Sequence, residues 1–440
     1  MDFITQFENT LSHTLEQNLL TEAAQLLDMF RTTNLPYTTS VFACINRLRQ
    51  KQNTPPKRIV LYQTGNFILD YISGQFANFF TEKECEILFF DPSDFSGSSE
   101  KLFDFAREGI DRVYCFNNVG LHQCFSDGSN LWECLCVPCY DFLVDHPMYY
   151  AHSLNQTPKN TTVLCADATH VAYVKRFYPS VKDALFLPTG GHTPITPYEN
   201  LPAWNMRPID ILFIGSYKCN HTKAADEIDC FIHSHLQKHT DCTFENAVEI
   251  YYQTYFDIAD ISDSTLKETI ETHRFSETNL TAFYRSAIMQ DIITAGFTIH
   301  VYGEGWEQTD LCNNPLFVLH KPVSFEEGIQ LMSQSKIVLN HMAWFKHGSS
   351  ERIFNAMSQG AICLTDSSNY FHDILADKEN CVLYTLSDIN QHAVSKAIKQ
   401  ILAQPETAAG IAQKGYLCAK EHTWQQHLSN LMEDIFYESA

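Results

Sequence analysis

From Arg58 onward, short runs of apolar residues alternate with segments whose apolar residues return at helical spacing. Brief apolar runs bounded by turn residues read as strands buried on both faces, and helical spacing reads as helices packed against them. The first series of runs covers residues 58–62, 86–91, 112–116, 138–144, 162–166 and 184–187. Helices are predicted between them, among them 67–80 and 100–109. A second series begins at 209–214 and resumes at 298–302, 316–319, 337–340, 361–365 and 381–384. The chain then ends in helices, with Trp424 opening the last. Such alternation indicates parallel, doubly wound sheets, so the pattern predicts an α/β protein with two open sheets in tandem.

Three segments depart from this rhythm. Ahead of the first strand, Phe3, Phe7, Leu11, Leu15 and Leu19 recur every four residues, which places them on one helix face. Residues 1–55 read as a helical segment capping the domain that follows, with a partner-binding hairpin as the alternative. Asn53-Thr54-Pro55-Pro56 breaks the pattern. Pro188-Thr189-Gly190-Gly191-His192-Thr193-Pro194, followed by prolines at 197, 202 and 208, reads as a linker. It separates a first domain, 56–205, from a second, 206–422, with a last helix over 423–440. Residues 221–295 are helical in pattern and longer than an ordinary crossover, so they read as a helical insertion in the second domain. No internal repeat or low-complexity tract is present.

Composition narrows the classes. A length of 440 residues suits two or three domains, and 45% hydrophobic residues suffices for full cores. Thirty basic against 52 acidic residues give a formal charge of −22, which disfavours nucleic acid or an anionic membrane surface as a partner. No apolar run is long enough to span a membrane. The start, Met1 to Glu8, lacks the basic flank and apolar core of a secretory signal. Fifteen cysteines, an odd number in a long chain without such a signal, fit reduced thiols in a cytoplasm. Cys136 and Cys139, beside Cys134, form one Cys-x-x-Cys pair with no second pair to complete a zinc site. They are expected in the core, with metal or redox use as the alternative.

Candidate chemistry lies at strand ends, where open parallel sheets bind ligands. Gly65-Asn66 and Gly215-Ser216-Tyr217 each follow the opening strand of a domain. Neither glycine belongs to a dinucleotide fingerprint or a P-loop. Each still permits a sharp turn into a helix N-terminus, and each also fits a plain strand–helix turn. Tyr302-Gly303-Glu304-Gly305-Trp306 ends another strand. Its glycines and aromatics suit contact with a planar base, or a tight turn with Trp306 in the core. The richest stretch runs from His341 to Thr365: a polar loop containing His347-Gly348, then a helix opening at Ser349-Ser350-Glu351-Arg352 and stopped by Gly360. Two hydroxyls, free N–H groups and a guanidinium there would hold a diphosphate; a solvated, capped helix fits equally.

From about Ile209 to Trp424 these features resemble the C-terminal domain of GT-B glycosyltransferases, in particular the spore-maturation-type branch. Glu351-Arg352-Ile353-Phe354-Asn355-Ala356-Met357-Ser358-Gln359-Gly360, the Tyr302-Gly303-x-Gly305-Trp306 loop and the late Trp424 carry the likeness. It implies two Rossmann-like domains facing across a cleft, with a nucleotide-sugar donor, UDP-, GDP- or other, on the second. Gly215 and Ser216, with Tyr217 beside them, would face the phosphates. Residues 302–306 would face the base and 349–352 the phosphates or sugar, with His347 and Gly348 also on the donor side. Asn355 stands where relatives place a ribose-binding glutamate, and His347 stands eight residues earlier where they place its partner. Gly65 and Asn66 fall on the acceptor side.

The chain has no Asp-x-Asp, the motif by which glycosyltransferases of the other major fold bind a metal. A metal-independent hexosyltransferase-like enzyme is therefore expected, needing no cofactor beyond its donor, with helix dipole and cations neutralising the leaving group. Asp145 and His146, at a predicted strand end, are the candidate catalytic base; a turn with a helix cap fits Asp145-His146-Pro147 as well. The acceptor is a protein, glycan or small molecule, and the outcome is retaining or inverting. The other readings are a nucleotide-sugar epimerase-like enzyme and a degenerate, non-catalytic nucleotide-sugar-binding protein.

Overall fold

Two series of apolar strands assemble as two six-stranded sheets in the computed structural model, which describes residues 3–437 other than 18, 34, 52–54, 221–225 and 259. The break predicted at Asn53-Thr54 lies outside the described residues; Pro55 and Pro56 lie within them. By contacts the chain divides into two compact units. The first is Met1–Cys165 with His170–Phe186; the second is Leu187–Ala440 together with Ala166–Thr169.

The first unit begins with three helices, α1 (Phe3–Glu16), α2 (Leu20–Arg31) and α3 (Thr39–Lys51). The four-residue recurrence is interrupted after Leu15, and Leu19 lies exposed between α1 and α2. Leu27, Phe30, Val41 and Ile45 form a small core between α2 and α3. Asn46 ties α3 to the sheet. Fully buried, it donates to the Leu135 carbonyl and accepts from the Ile110 N–H, each at 2.7 Å.

The sheet itself alternates β1 (Arg58–Tyr62), α4 (Phe67–Glu82), β2 (Glu86–Phe90), α5 (Phe95–Ala106), β3 (Arg112–Phe116), α6 (Leu131–Cys134), β4 (Cys139–Leu143), α7 (Ala151–Leu154), β5 (Thr161–Cys165), α8 (Ala168–Phe177) and β6 (Asp183–Phe186). All pairings are parallel, in the order β2-β1-β3-β4-β5-β6. Ile59, Val60, Leu61 and Tyr62 are wholly buried because helices cover both faces, whereas Phe89 on the edge strand β2 is exposed. α5 starts earlier than the apolar spacing suggests because the Asp94 side chain caps it, accepting from the Gly97 N–H.

In the second unit β7 (Ile209–Ile214) leads into α9 (Glu227–Lys238), α10 (Phe244–Phe256), α11 (Asp263–His273) and α12 (Phe275–Thr294). The alternation resumes with β8 (Ile299–Tyr302), β9 (Phe317–His320), α13 (Phe325–Ser333), β10 (Ser335–Leu339), α14 (Glu351–Ser358), β11 (Ile362–Thr365) and β12 (Val382–Leu383). Three helices close it: α15 (Ala393–Ala403), α16 (Pro405–Lys420) and α17 (Trp424–Tyr437). The order is β12-β11-β10-β7-β8-β9, a Rossmann arrangement whose direction reverses between β7 and β10. In the first sheet the reversal lies between β1 and β3.

The proline-rich stretch after Leu187 packs with the second unit. Buried Arg207 donates to the Pro202, Ser335 and Gln359 carbonyls, and the Trp204 indole donates to the Lys336 carbonyl. All fifteen cysteines are unpaired; Cys139, which opens β4, lies in the core as expected, whereas Cys134 and Cys136 are only half-buried. Among the described residues no helix is long and apolar enough to cross a membrane.

One buried carboxyl gives the first unit a pH signature. Asp141, wholly enclosed in β4, is pushed from 3.8 up to about 7 by burial, partly offset by the Asn118 N–H. Between those values the folded protein holds a proton that the unfolded chain has released. The resulting stability is complete below 3.8 and is lost as pH rises through 7. The melting temperature of the wild type is expected to fall several degrees further between pH 5 and pH 8 than that of Asp141→Asn; parallel melting curves would exclude this account.

Candidate functional site

In the second unit the turn after β7 and the turn after β8 lie against each other as a continuation of the sheet. The Gly215 N–H donates to the Tyr302 carbonyl at 2.8 Å, and the Tyr217 N–H to the Glu304 carbonyl at 2.7 Å. The Glu304 N–H reaches the Ser216 hydroxyl at 3.2 Å. Such close approach excludes side chains. A Cβ on Gly303 would stand 2.3 Å from the Gly215 carbonyl oxygen, and one on Gly305, at φ +83°, would stand 2.0 Å from that of Tyr217. Trp306 is wholly buried and its indole N–H donates to the Gly215 carbonyl at 2.8 Å. Its ring packs at 5.2 Å from Tyr217 and edge-on to Phe213 at 6.0 Å. Of the two readings of this loop, the structure places Trp306 in the core. Glu304 is exposed, and half-buried Tyr302 stacks on His320 at 4.2 Å.

Two guanidiniums converge beside this turn. Arg352, in the first turn of α14, and Arg285, from α12, both lie over the Phe213 ring, at 5.6 and 5.7 Å from its centroid. Arg352 donates to the Asn340 side-chain oxygen at 2.7 Å, and Arg285 to the Ser216 carbonyl. Among the described residues neither meets a carboxylate, and the Arg285 Nε has no partner. Burial and the charge of Arg352 lower Arg285 to about 10. Next to them His341 is buried with its Nε2 unpartnered. Burial, reinforced by Arg285, Arg352 and Lys346, drops it to about 3, so its ring is neutral. Lys346 is held by the Thr240 and Ala343 carbonyls, and burial lowers it too.

The N-terminus of α14 meets these cations. Its cap residue, Ser350, makes no side-chain capping bond; its hydroxyl instead lies 3.4 Å from the Asn340 side-chain oxygen. The Ser349 hydroxyl turns inward to Thr189. Glu351 is half-buried. Asn355 is buried and its side-chain oxygen accepts from the His192 N–H at 2.7 Å. The preceding loop is fastened by Asp167, which accepts from the His347 N–H at 2.9 Å. The His347 ring is exposed and lies 2.9 Å from the Asn369 amide. Gly348 is buried, where a Cβ would meet the Ala166 carbonyl at 2.6 Å. The structure thus gathers Gly215, Ser216 and Arg352 with Arg285, Asn340 and His341. Arg285 and Asn340 lay outside every candidate stretch of the sequence, and His341 opened the richest one without an assigned role. Arg285 lies seventy residues beyond Gly215, across the insertion.

In the first unit Asn66 caps α4, accepting from the Ile68 and Leu69 N–H groups, and Gly65 turns at φ +75° in an exposed loop. His146 caps the turn after β4: its Nδ1 accepts from the Met148 N–H at 3.1 Å, and its ring is buried between His170 and Tyr173. Asp145 is exposed, with one oxygen accepting from Asn117 and Tyr150. One cluster of metal-ligand type, Asp226, Asp229 and His273, lies in the insertion. It forms the capping box of α9, with His273 and Ser276 bound to Asp229.

Residues 285–433 match the family model described as glycosyl transferase-like. An α-glucosyltransferase solved with UDP and a 13-mer DNA containing an HMU base aligns over 87% of this chain and 100% of its own, at 9% identity and a TM-score of 0.51. The chain has the GT-B glycosyltransferase fold. Sucrose-phosphate synthase from Thermosynechococcus elongatus aligns over 87% of this chain and 100% of its own, at 11% identity and a TM-score of 0.49. Anabaena HepE with UDP and glucose aligns over 86% and 100%, at 11% identity and 0.47. No curated protein matches the sequence. The family match begins at Arg285 and spans α14, and together with the fold it supports sugar transfer in general.

Because Gly303 abuts backbone, Gly303→Ala cannot be absorbed by a side-chain shift. Its cost is expected at about 1–3 kcal/mol, as for other overpacked sites, seen as a lowered denaturant midpoint. Glu304→Ala, at an exposed position, should leave the unfolding free energy within about 0.5 kcal/mol of the wild type.

Proposed function

We propose that the protein transfers a sugar from a nucleotide-sugar donor to an acceptor hydroxyl. The donor diphosphate would lie beyond the carboxyl ends of β7 and β10. The observation that carries this reading is the pair Arg285 and Arg352, set side by side with no carboxylate partner among the described residues in a chain of formal charge −22. Uncompensated like charges raise the energy of the empty site and are relieved by an anion. The N-terminus of α14 adds its dipole on the same side. Two fixed guanidiniums also suit a leaving group that gains charge as the glycosidic bond breaks, and this reading assigns that work to them rather than to a metal.

In the step itself an acceptor oxygen bonds to the anomeric carbon while that carbon's bond to the diphosphate oxygen breaks. The nucleoside diphosphate departs with the bonding pair. On the inverting course the hydroxyl proton goes to a base. We assign that base to Asp145 rather than His146, whose Nδ1 is engaged by the Met148 N–H and whose ring is enclosed. An exposed carboxylate accepts a proton without first opening the core. The donor class is the part most open to direct measurement. UDP stands first, since the α-glucosyltransferase of like fold was solved with it.

A thermal-shift series with UDP, GDP, CMP, ADP and dTDP, with and without magnesium, is expected to show one clear stabilising nucleotide whose effect does not need the metal. By calorimetry Arg285→Ala and Arg352→Ala should each weaken that nucleotide by about 1–3 kcal/mol, the range for a charged hydrogen bond. Wild-type affinity in both folded variants would remove the diphosphate from this site. No shift with any nucleotide would overturn the donor site, whereas a shift without sugar transfer would favour a degenerate, non-catalytic binding protein.

A further inference from the structure

At the carboxyl end of β3 the chain passes through two left-handed residues in succession, Asn117 at φ +51° and Asn118 at φ +63°. Asparagine tolerates this region better than most residues, but two adjacent non-glycine residues there still store conformational energy, and they persist only where surrounding contacts hold them. Here the contacts are specific. The Asn117 N–H donates to the Phe142 carbonyl at 3.0 Å. The Asn118 N–H donates to Asp141 Oδ1 at 2.9 Å, a carboxyl sealed inside β4.

The strain has a geometric product. It brings the Asn117 side chain across to the end of β4, where its oxygen accepts from the Val144 N–H at 3.0 Å and its amide donates to Asp145 Oδ2 at 3.1 Å. From the turn beyond β4, the Tyr150 hydroxyl donates to the same oxygen at 3.0 Å. Asp145 has no cationic partner among the described residues, and its Oδ1 meets no protein donor there. One oxygen is therefore tethered from two elements and the other is left towards solvent. Both tethers are neutral hydrogen-bond donors, so they fix the carboxylate's orientation without pairing it with a cation.

We propose that Asn117 and Tyr150 are positioning residues that orient Asp145 toward an acceptor hydroxyl, with Asp141 anchoring the strained turn that delivers Asn117. This rests on the reading of Asp145 as proton acceptor. A carboxylate that rotates freely presents its lone pairs in many directions, and fixing one of them removes that entropy from the reacting state. Asp141 acts through Asn118 and Asn117 and does not itself touch the acceptor.

The test is release of nucleoside diphosphate by the full chain, with water as acceptor, from UDP-glucose, GDP-mannose, ADP-glucose and dTDP-glucose. kcat and KM are compared on the donor that the wild type turns over fastest. Asn117→Gly suits the left-handed backbone and removes only the side chain, so it should fold; Tyr150→Phe removes a single hydroxyl. Each is expected to lower kcat on the order of tenfold with donor KM unchanged. Asp145→Asn should lower kcat on the order of a hundredfold or more. Asp141→Leu should lose rate, and Asp141→Asn, which still offers an oxygen to the Asn118 N–H, should recover it. If Asp145→Asn loses activity while Asn117→Gly and Tyr150→Phe keep wild-type kcat, the positioning role is overturned. If Asp145→Asn keeps wild-type kcat, or the wild type releases nucleotide from none of the four donors, the reading beneath it is overturned instead.

Discussion

A parallel sheet covered by helices on both faces leaves only its strand ends for polar chemistry, and both units are built under that constraint. β1 and β10 are buried along their lengths, so the dry interior tolerates few polar groups. Some of the groups that remain unpaired lie close to strand ends: the Asn118 side chain just past β3, with Asp141 Oδ2 in the neighbouring strand β4, and His341 Nε2 just past β10. Each unit also changes winding direction there, between β1 and β3 and between β7 and β10. Two neighbouring crossovers then leave in opposite directions, and the strand ends between them stay uncovered by a connecting helix.

The second unit's site shows how a strongly acidic chain keeps positive charge available. Arg285 and Arg352 are oriented by neutral acceptors, the Ser216 carbonyl and the Asn340 side-chain oxygen, and by the face of Phe213. A carboxylate in either role would fix the geometry equally well and cancel the charge. His341, enclosed beside them, stays neutral because burial and three cations oppose its protonation. The first unit follows the same logic with the sign reversed: Asp145 is tethered by an amide and a phenol rather than by a cation.

Much of this was legible from residues in order along the chain. The twelve apolar runs are the twelve strands, with ends displaced by a residue or two. The Gly-x-Gly-Trp spacing signals close backbone approach, and close approach is what it produces. The approaching group, however, is the 215–217 turn, so Trp306 packs inward. Asp145 and His146 are adjacent and chemically alike as candidate bases. Only the cap bond to Met148 and the packing against His170 and Tyr173 separate them. Asn117 and Asn118 gave no motif signal, although an Asn-Asn pair straight after a buried strand is a composition that favours left-handed backbone.

The sequence by itself determined the strands, their parallel assembly, the two-sheet order of elements and the glycines at strand ends, because these follow from local apolar patterning and from what a Cβ would hit. The tertiary structure decided which side chains share a site. Arg285 reaches Arg352 from sixty-seven residues away because α12 packs beside β8 and turns its side chain over Phe213. Asp141 governs Asn117 through a turn that no pairwise spacing describes. Periodicity records which face of an element is buried; it carries no information about which distant charges that burial sets side by side.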